Sequence, residues 1–495
     1  MAGVLNIAYD LVWGIPALIL IIGVGLYLSI RTRFVQLRLF PRACRDFWRR
    51  LTGAERSEDG VSPFQALCTA LAATVGTGNL AGVAGALAIG GPGAIFWMWL
   101  CALLGMVTKL AEAALSVRFR WDTGAERLGG PMYIIRQGMG KRWHWLAWLY
   151  SFFGVIAAFG VGNATQINAV ITGIDDCIIA FGGTVSRKGD LLMGVALALM
   201  VLVLLLGGAK RIARVTEKLI PFAACVYLML GGVVLILRAD AIPGAFGAIF
   251  RGAFSPSAVT GGVIGSAVST LRIGISRGVF TNEAGMGTAG IAHGSANVRH
   301  PMDQGLMGIM EVFLDTVVIC TVTALVILCS GVTVPYGTDV GVSLTADAFA
   351  HVLGPWVKLL IAASLCLFAF ATILGWGLYG ACCARYLLGS DVFRSFAFLQ
   401  AATVVLSSVL KTGTVWLLSD IVNGLMAIPN LIALAVLTPE LCRLIHEYMQ
   451  KPGVTAGGGT LCRYPSTQTD ANPLLCESST PSQWKQRRRA RRSIT

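Results

Sequence analysis

Apolar residues run through this chain in long blocks, separated by short polar stretches rich in arginine. The blocks fall near 10–30, 63–89, 94–117, 145–175, 190–209, 217–238, 258–281, 305–330, 355–386, 393–410 and 414–437. Each is near or above the roughly 20 residues that a helix needs to cross a bilayer, so the pattern predicts about eleven transmembrane helices. The charges between them are uneven. Counting from an external N-terminus, the loop after span 1 holds Arg31, Arg33, Arg38, Arg42, Arg45, Arg49, Arg50 and Arg56, and the loop after span 3 holds Arg118, Arg120, Arg127, Arg136, Lys141 and Arg142. Lys210, Arg211, Arg214 and Lys218 follow span 5, Arg299 follows span 7, and Arg385 and Arg394 lie near the end of span 9. The opposite side carries little beyond Arg187, Lys188, Arg238, Arg251 and Lys411. This asymmetry predicts an N-terminus outside and a C-terminus in the cytoplasm.

Composition agrees with a membrane protein. Of 495 residues, 55% are hydrophobic and 13% charged, too little charge to cover a soluble protein of this length. A net charge of +14 could suggest nucleic acid, but its place between apolar blocks and at the C-terminus points to a membrane surface instead. The first block lacks a basic n-region and an A-x-A-like cleavage site, and reads as a transmembrane helix rather than a signal peptide. The cysteines Cys68, Cys101, Cys225, Cys320, Cys366, Cys382 and Cys383 lie within apolar spans without paired C-x-x-C motifs, so they read as packing residues. The tail after about Gln450 is polar, ends "WKQRRRARR" and reads as a disordered, topology-retaining segment that could also touch anionic lipid.

One stretch resists the simple reading. "ATVGTGNLAGVAG", Ala73 to Gly85, places poor helix formers at the centre of span 2. Gly76, Gly78 and Ala81 fit a G-x-G-x-x-A dinucleotide turn, yet the flanks are apolar spans and "FWMW" stands where the acidic residue belongs, which excludes that reading. Close packing through Gly78, Gly82 and Ala86 accounts for the small residues but not for Thr74, Thr77 and Asn79. A broken helix accounts for both. Where a spanning helix unwinds, freed carbonyls and a hydroxyl can ligate a hard cation such as Na⁺, and the N–H groups of the second half can hold a carboxylate. A second interrupted span is then expected. Span 7 offers "STLRIGISRGVFTNEAGMGTAG", with Gly274, Gly278, Gly285 and Gly287. Arg277 there reads as interfacial, and Arg272 as either gating and pairing or snorkelling.

At this point the sequence resembles the alanine or glycine:cation symporter family of prokaryotes. The family signature reads "GGPGAIFWMWLCALLG" (Gly90–Gly105), and "SPFQALCTALAATVGTGN", "GGPMYI", "RVTEKLIPF", "RGVFTNEAGMG" and "ILGWGLYG" look like further family blocks. The resemblance runs from about Leu11 to about Pro439. It implies an all-α leucine-transporter-like core of two inverted five-helix repeats with two broken helices, preceded by one extra N-terminal helix. The domains are then residues 1–61 (extra helix and basic loop), 62–440 (core, with repeats at about 62–240 and 241–440) and 441–495 (tail). By that match the amides of Thr77 and Gly78 face a substrate carboxylate, and the carbonyls of Ala72 and Val75 ligate Na⁺ with Thr372. Thr74 and Asn79 brace the break or line the pocket. "STLRIGIS" resembles the second broken stretch and puts Thr270, Ile273 and Gly274 at the pocket, with Trp376 one turn from Thr372. In span 4, Asn163 and Gln166 share a face and could reach the substrate amine, or make interhelix bonds, while Asn168 points elsewhere on an ideal helix.

Other polar residues carry their own expectations. Glu311 and Asp315, four apart, read as a proton or cation relay or as interhelix bonds. Lys109 and Glu112 read as a local i,i+3 pair. His144, His293, His300, His351 and His446 lack metal-ligand spacing, so no zinc site is expected. The resemblance implies Na⁺-coupled import of alanine or glycine, with serine or D-alanine in the same size class, across the prokaryotic cytoplasmic membrane by alternating access. A proton-coupled carrier is the alternative. Neither an enzyme nor an enzymatic cofactor is expected, and the partners are a small amino acid and the lipid bilayer.

Overall fold

The computed structural model describes residue 12 and residues 15–53, 60–123, 126–338, 340–389, 392–409 and 413–450. Arg56, Lys411 and the basic tail lie outside them. Among the described residues, seven helices are long and apolar enough to cross a membrane, and nine if each of two sharply bent pairs is one span. The other two predicted spans are the 17-residue helix Ile15–Arg31 and the helix Ala267–Asn282 with the short helix Thr288–Gly294 after it.

The first broken span starts cleanly. Ser62 accepts from the Gln65 N–H while the Gln65 side chain accepts from the Ser62 N–H, and Pro63 occupies the first turn, a capping box that fixes the helix start. Gln65 Nε2 also donates to Glu217 on the helix Gly208–Leu237. The helix Pro63–Thr74 then stops. Val75 is extended, a π-helical turn covers Gly78–Gly82, and Val83–Gly90 continues at 52° to the first half. Two further π segments interrupt apolar spans, at Gly160–Ala164 and Phe313–Cys320.

The second break lies within the expected stretch, 269–290, but at its far end rather than at the part the resemblance implies. "STLRIGIS" is unbroken helix within Ala267–Asn282. The chain turns at Glu283 to Gly287, where Glu283, Gly285 and Gly287 all take positive φ (52°, 98° and 79°). No helix continues through such residues. Thr270, Ile273 and Gly274 therefore stand on continuous helix and not at the break. Thr270 bonds its own helix at Ser266, and Ile273 and Gly274 lie against Gly90 and against Ala94 and Trp97. A Cβ on Gly274 would sit 2.4 Å from the Ala94 carbonyl oxygen, so the glycine is needed for helix approach.

Chain ends of equal parity meet. Arg118 pairs with Glu440, Arg120 donates to the Ala296 carbonyl and Arg385 pairs with Glu126. At the other end the helix Ser343–Leu353 is tied by Ser343 to Asp176 and by Asp347 to Lys358. The stretch read as tail begins as helix. Thr438–Gln450 buries Leu441, Leu444, Ile445 and Tyr448, spaced i, i+3, i+4, i+7 as one apolar stripe.

Candidate functional site

The first break is braced by one side chain. Asn79 Oδ1 accepts from the Gly76 N–H at 2.9 Å, so that N–H does not close the helical bond to the carbonyl of Ala72. Asn79 Nδ2 turns the other way, to Asp315 Oδ1 at 2.7 Å, the Asp315 carbonyl at 3.2 Å and Cys320 Sγ at 3.3 Å. Thr74 only bonds back to Ala70 and Leu71. The brace is Asn79. Thr77 precedes the π turn with its hydroxyl buried and unpartnered, and the N–H groups of Thr77 and Gly78 stand ahead of the turn's first bonds, where a helix start leaves its donors free.

The helix Val357–Leu388 walls one side. Gly375 makes that possible, because a Cβ there would sit 3.0 Å from Ala73. Thr372 precedes it and Trp376 follows. Thr372 Oγ1 donates to the Phe368 carbonyl in its own helix at 3.0 Å and stands 3.5 Å from the Val75 carbonyl. Gly76 faces both Thr372 and Gln166, since a Cβ would lie 2.6 Å from Thr372 Oγ1 and 3.3 Å from Gln166 Oε1. Gln166 Nε2 bonds the Val161 carbonyl, leaving Oε1 buried and unpartnered. The structure thus gathers Ala72, Val75, Thr77, Gly78, Asn79, Gln166, Thr372 and, one turn on, Trp376.

The other span 4 amides go elsewhere. Asn163 sits in the π segment Gly160–Ala164 and donates to the Gln400 carbonyl. The extra residue of that turn breaks the ideal-helix face it was expected to share with Gln166. Asn168 is half-buried and joins none of the hydrogen bonds at the break.

Sequence reasoning missed the acids around the second break. Trp376 Nε1 donates to Glu283 Oε1 at 2.9 Å, and Thr288 Oγ1 donates to Glu283 Oε2 at 2.6 Å. Glu112 Oε1 accepts from the N–H groups of Gly285 and Gly287 and from Asn430 Nδ2. So Glu112 does not pair with Lys109. Lys109 Nζ instead meets Glu311 Oε1 at 2.8 Å, and Glu311 Oε2 meets His293 Nε2 at 2.9 Å. Glu112 is held by amides that the positive-φ glycines leave without helical partners, while Lys109 reaches across to Glu311. Glu311 and Asp315 also part company: one serves this buried ion network, the other the Asn79 brace. The available signal was the acid in "TNEAGMG", flanked by glycines inside an apolar span.

The two breaks face each other directly. Gly78 and Gly82 lie against Thr281 and Phe280, at the end of the helix Ala267–Asn282. Both halves of the arrangement are enclosed, with Asn79, Thr77, Thr372, Trp376 and Glu283 all buried. Such a site offers oxygen ligands, amide donors and a small apolar wall, which suits a cation and a small zwitterion.

Comparison with known proteins bears on this arrangement. The structure is similar to that of MhsT, solved in complex with L-phenylalanine, with a TM-score of 0.53, 14% identity and coverage of 79% of this chain and 99% of that one; the fold is the leucine-transporter type. A sodium/alanine symporter, AgcS of Methanococcus maripaludis, is 41% identical over 441 residues, 88% of this chain and 94% of its own. An uncharacterized transporter of Haemophilus influenzae is 41% identical over 454 residues, 90% and 96% of the two chains. The model of the sodium:alanine symporter family matches residues 1–456. With two broken spans meeting on that fold, and similarity along nearly the whole membrane-spanning length, the chain belongs to the sodium:alanine symporter family.

Proposed function

We propose that the protein imports a small neutral amino acid, alanine or glycine first, by Na⁺-coupled alternating access. One observation supports this most. At the first break the Val75 carbonyl and the Thr372 hydroxyl stand together, Gln166 Oε1 is buried and unpartnered across Gly76 from that hydroxyl, and the Gly76 N–H has left the Ala72 carbonyl for Asn79. A hard cation with bonds of about 2.4 Å places neighbouring ligand oxygens about 3.4 Å apart at right angles. The 3.5 Å between Thr372 Oγ1 and the Val75 carbonyl matches that spacing. In this reading Na⁺ bridges the two spans, and the substrate carboxylate meets the amides of Thr77 and Gly78. Gln166 Oε1 accepts from the substrate ammonium, and Trp376 limits side-chain size.

The membrane orientation follows from the arginine-rich loops: N-terminus outside, C-terminus cytoplasmic. The test is uptake of labelled L-alanine into proteoliposomes, with and without Na⁺, against a panel of small L- and D-amino acids. Na⁺-dependent uptake, competed by alanine and glycine and not by leucine, is expected. Uptake indifferent to Na⁺, or competed best by large side chains, overturns the reading.

A further inference from the structure

We propose that Asp315 is a proton-exchange residue whose state is relayed to the first break by Asn79, so that transport carries a proton dependence alongside its Na⁺ dependence. This rests on the symport reading above. Asp315 is fully buried in the π segment Phe313–Cys320. Its hydrogen bonds come from neutral donors, Asn79 Nδ2 at 2.7 Å and Thr316 Oγ1 at 2.8 Å.

No counter-cation stands beside it. The broken span packed on it, residues 63–90, contains no charged residue. On the helix Gly93–Arg118 the facing groups are Lys109 and Glu112: Lys109 is taken by Glu311, one turn before Asp315, and Glu112 by the second break. His293 is on Glu311 as well. The helix Ala267–Asn282 adds Arg272 and Arg277, with Glu283 after it, and the π segment itself adds the Cys320 thiol. Among the described residues no Lys, Arg or His lies within ion-pair distance of Asp315, whereas Glu311 has two such partners. An isolated carboxylate charge inside a membrane protein must be neutralised by a proton or a cation.

The surroundings choose the proton. Asn79 keeps its Oδ1 on the Gly76 N–H and turns its NH₂, a donor and not a cation ligand, to Asp315. Cys320 contributes sulfur, a poor ligand for a hard cation. The hydroxyls, by contrast, serve either state. With Asp315 ionised, Thr316 O–H donates to Oδ2. With Asp315 protonated, its O–H donates to Thr316 Oγ1, whose own hydrogen turns to Thr281 Oγ1 at 3.4 Å, while Thr281 donates to the Gly278 carbonyl at 2.9 Å. The proton is exchanged with water when the site opens, and no other group needs to change charge. Ionised Asp315 holds Asn79 by a charge-assisted bond, and Asn79 holds Gly76, so protonation loosens the brace of the break.

The test uses purified full-length protein. Adding alanine with Na⁺ in weakly buffered solution, read by a pH-sensitive dye, should release or take up protons. Uptake under a fixed Na⁺ gradient should depend on pH. Asp315→Asn should abolish the proton signal and flatten the pH profile, and Asp315→Glu should restore both in part. Should Asp315→Asn not reach the membrane, Thr316→Val keeps the carboxylate and removes a hydroxyl that bonds the ionised acid more strongly than the protonated one, and must move the profile's midpoint by about one pH unit. A proton signal absent from the parent protein, or unchanged in Asp315→Asn, or an unmoved midpoint in Thr316→Val, overturns the proposal. Na⁺-independent uptake in the parent would count against the symport reading; an Asp315-independent proton signal counts against this one alone.

Discussion

At Gly76 a hydrogen in place of a side chain lets three elements meet. A methyl group there would press to 2.6 Å on Thr372 Oγ1 and to 3.3 Å on Gln166 Oε1. Overpacking of this kind costs typically 1–3 kcal/mol. Gly76→Ala should therefore lower alanine uptake roughly tenfold or more, with the protein still present in the membrane by immunoblot. Thr372→Val tests the neighbouring ligand. Losing one hydroxyl to a cation should raise the Na⁺ concentration for half-maximal uptake by about tenfold; an unchanged Na⁺ requirement removes Thr372 from the site. The residue scale is also where the sequence was most readable. Gly, Thr and Asn at 76–79 are poor helix formers in an apolar span, and that conflict located the first break. It could not say that Asn79 rather than Thr74 does the bracing, because the partner of Asn79 lies 236 residues away.

At the scale of elements, the buried network Lys109–Glu311–His293 joins three helices without solvent. Breaking such a network leaves a charge uncompensated, at a cost of about 3–5 kcal/mol. Lys109→Met should lower the melting temperature in detergent clearly, and Lys109→Met with Glu311→Leu should recover much of the loss, since an apolar replacement of a buried pair is often neutral. A double variant as unstable as the single one would mean the network does more than balance charge. The second break shows why element-level reading fell short. Glycines at 274 and 278 drew attention to a stretch that is continuous helix, where they admit the backbone of a neighbour. What interrupts the span is the run of positive φ at 283–287. Composition alone does not separate a glycine used for approach from one used for conformation. Nor does it reveal π segments, which depend on packing with distant helices.

For the molecule as a whole, the eleven apolar blocks and their charge asymmetry were legible because bilayer thickness and backbone hydrogen bonding leave few solutions. The ties between ends were not. Contacts such as Glu283 to Trp376, 93 residues apart, or Thr345 to the Leu80 carbonyl, 265 apart, exist only once the helices are assembled. If Na⁺ and substrate share one broken span, their binding is linked. Na⁺ should tighten alanine binding and alanine should tighten Na⁺ binding by the same factor, measurable by titration calorimetry on purified protein. A factor of one, with neither ligand altering the other's affinity, would be incompatible with a shared site.

The three π segments carry a constraint on chain length. Each holds one residue more than an α-helical turn at the place where it meets the site. Deleting one residue from such a segment would let it relax to an ordinary helix, which re-aims the residues of the bulge itself while the helix beyond keeps its facing. At Gly160–Ala164 that would move Asn163 off the Gln400 carbonyl, and at Phe313–Cys320 it would part Asp315 from Asn79. Single-residue deletions there should thus leave the protein in the membrane yet cost it transport, and homologous carriers that keep this site should conserve the spacing of these segments even where they change the residues within them.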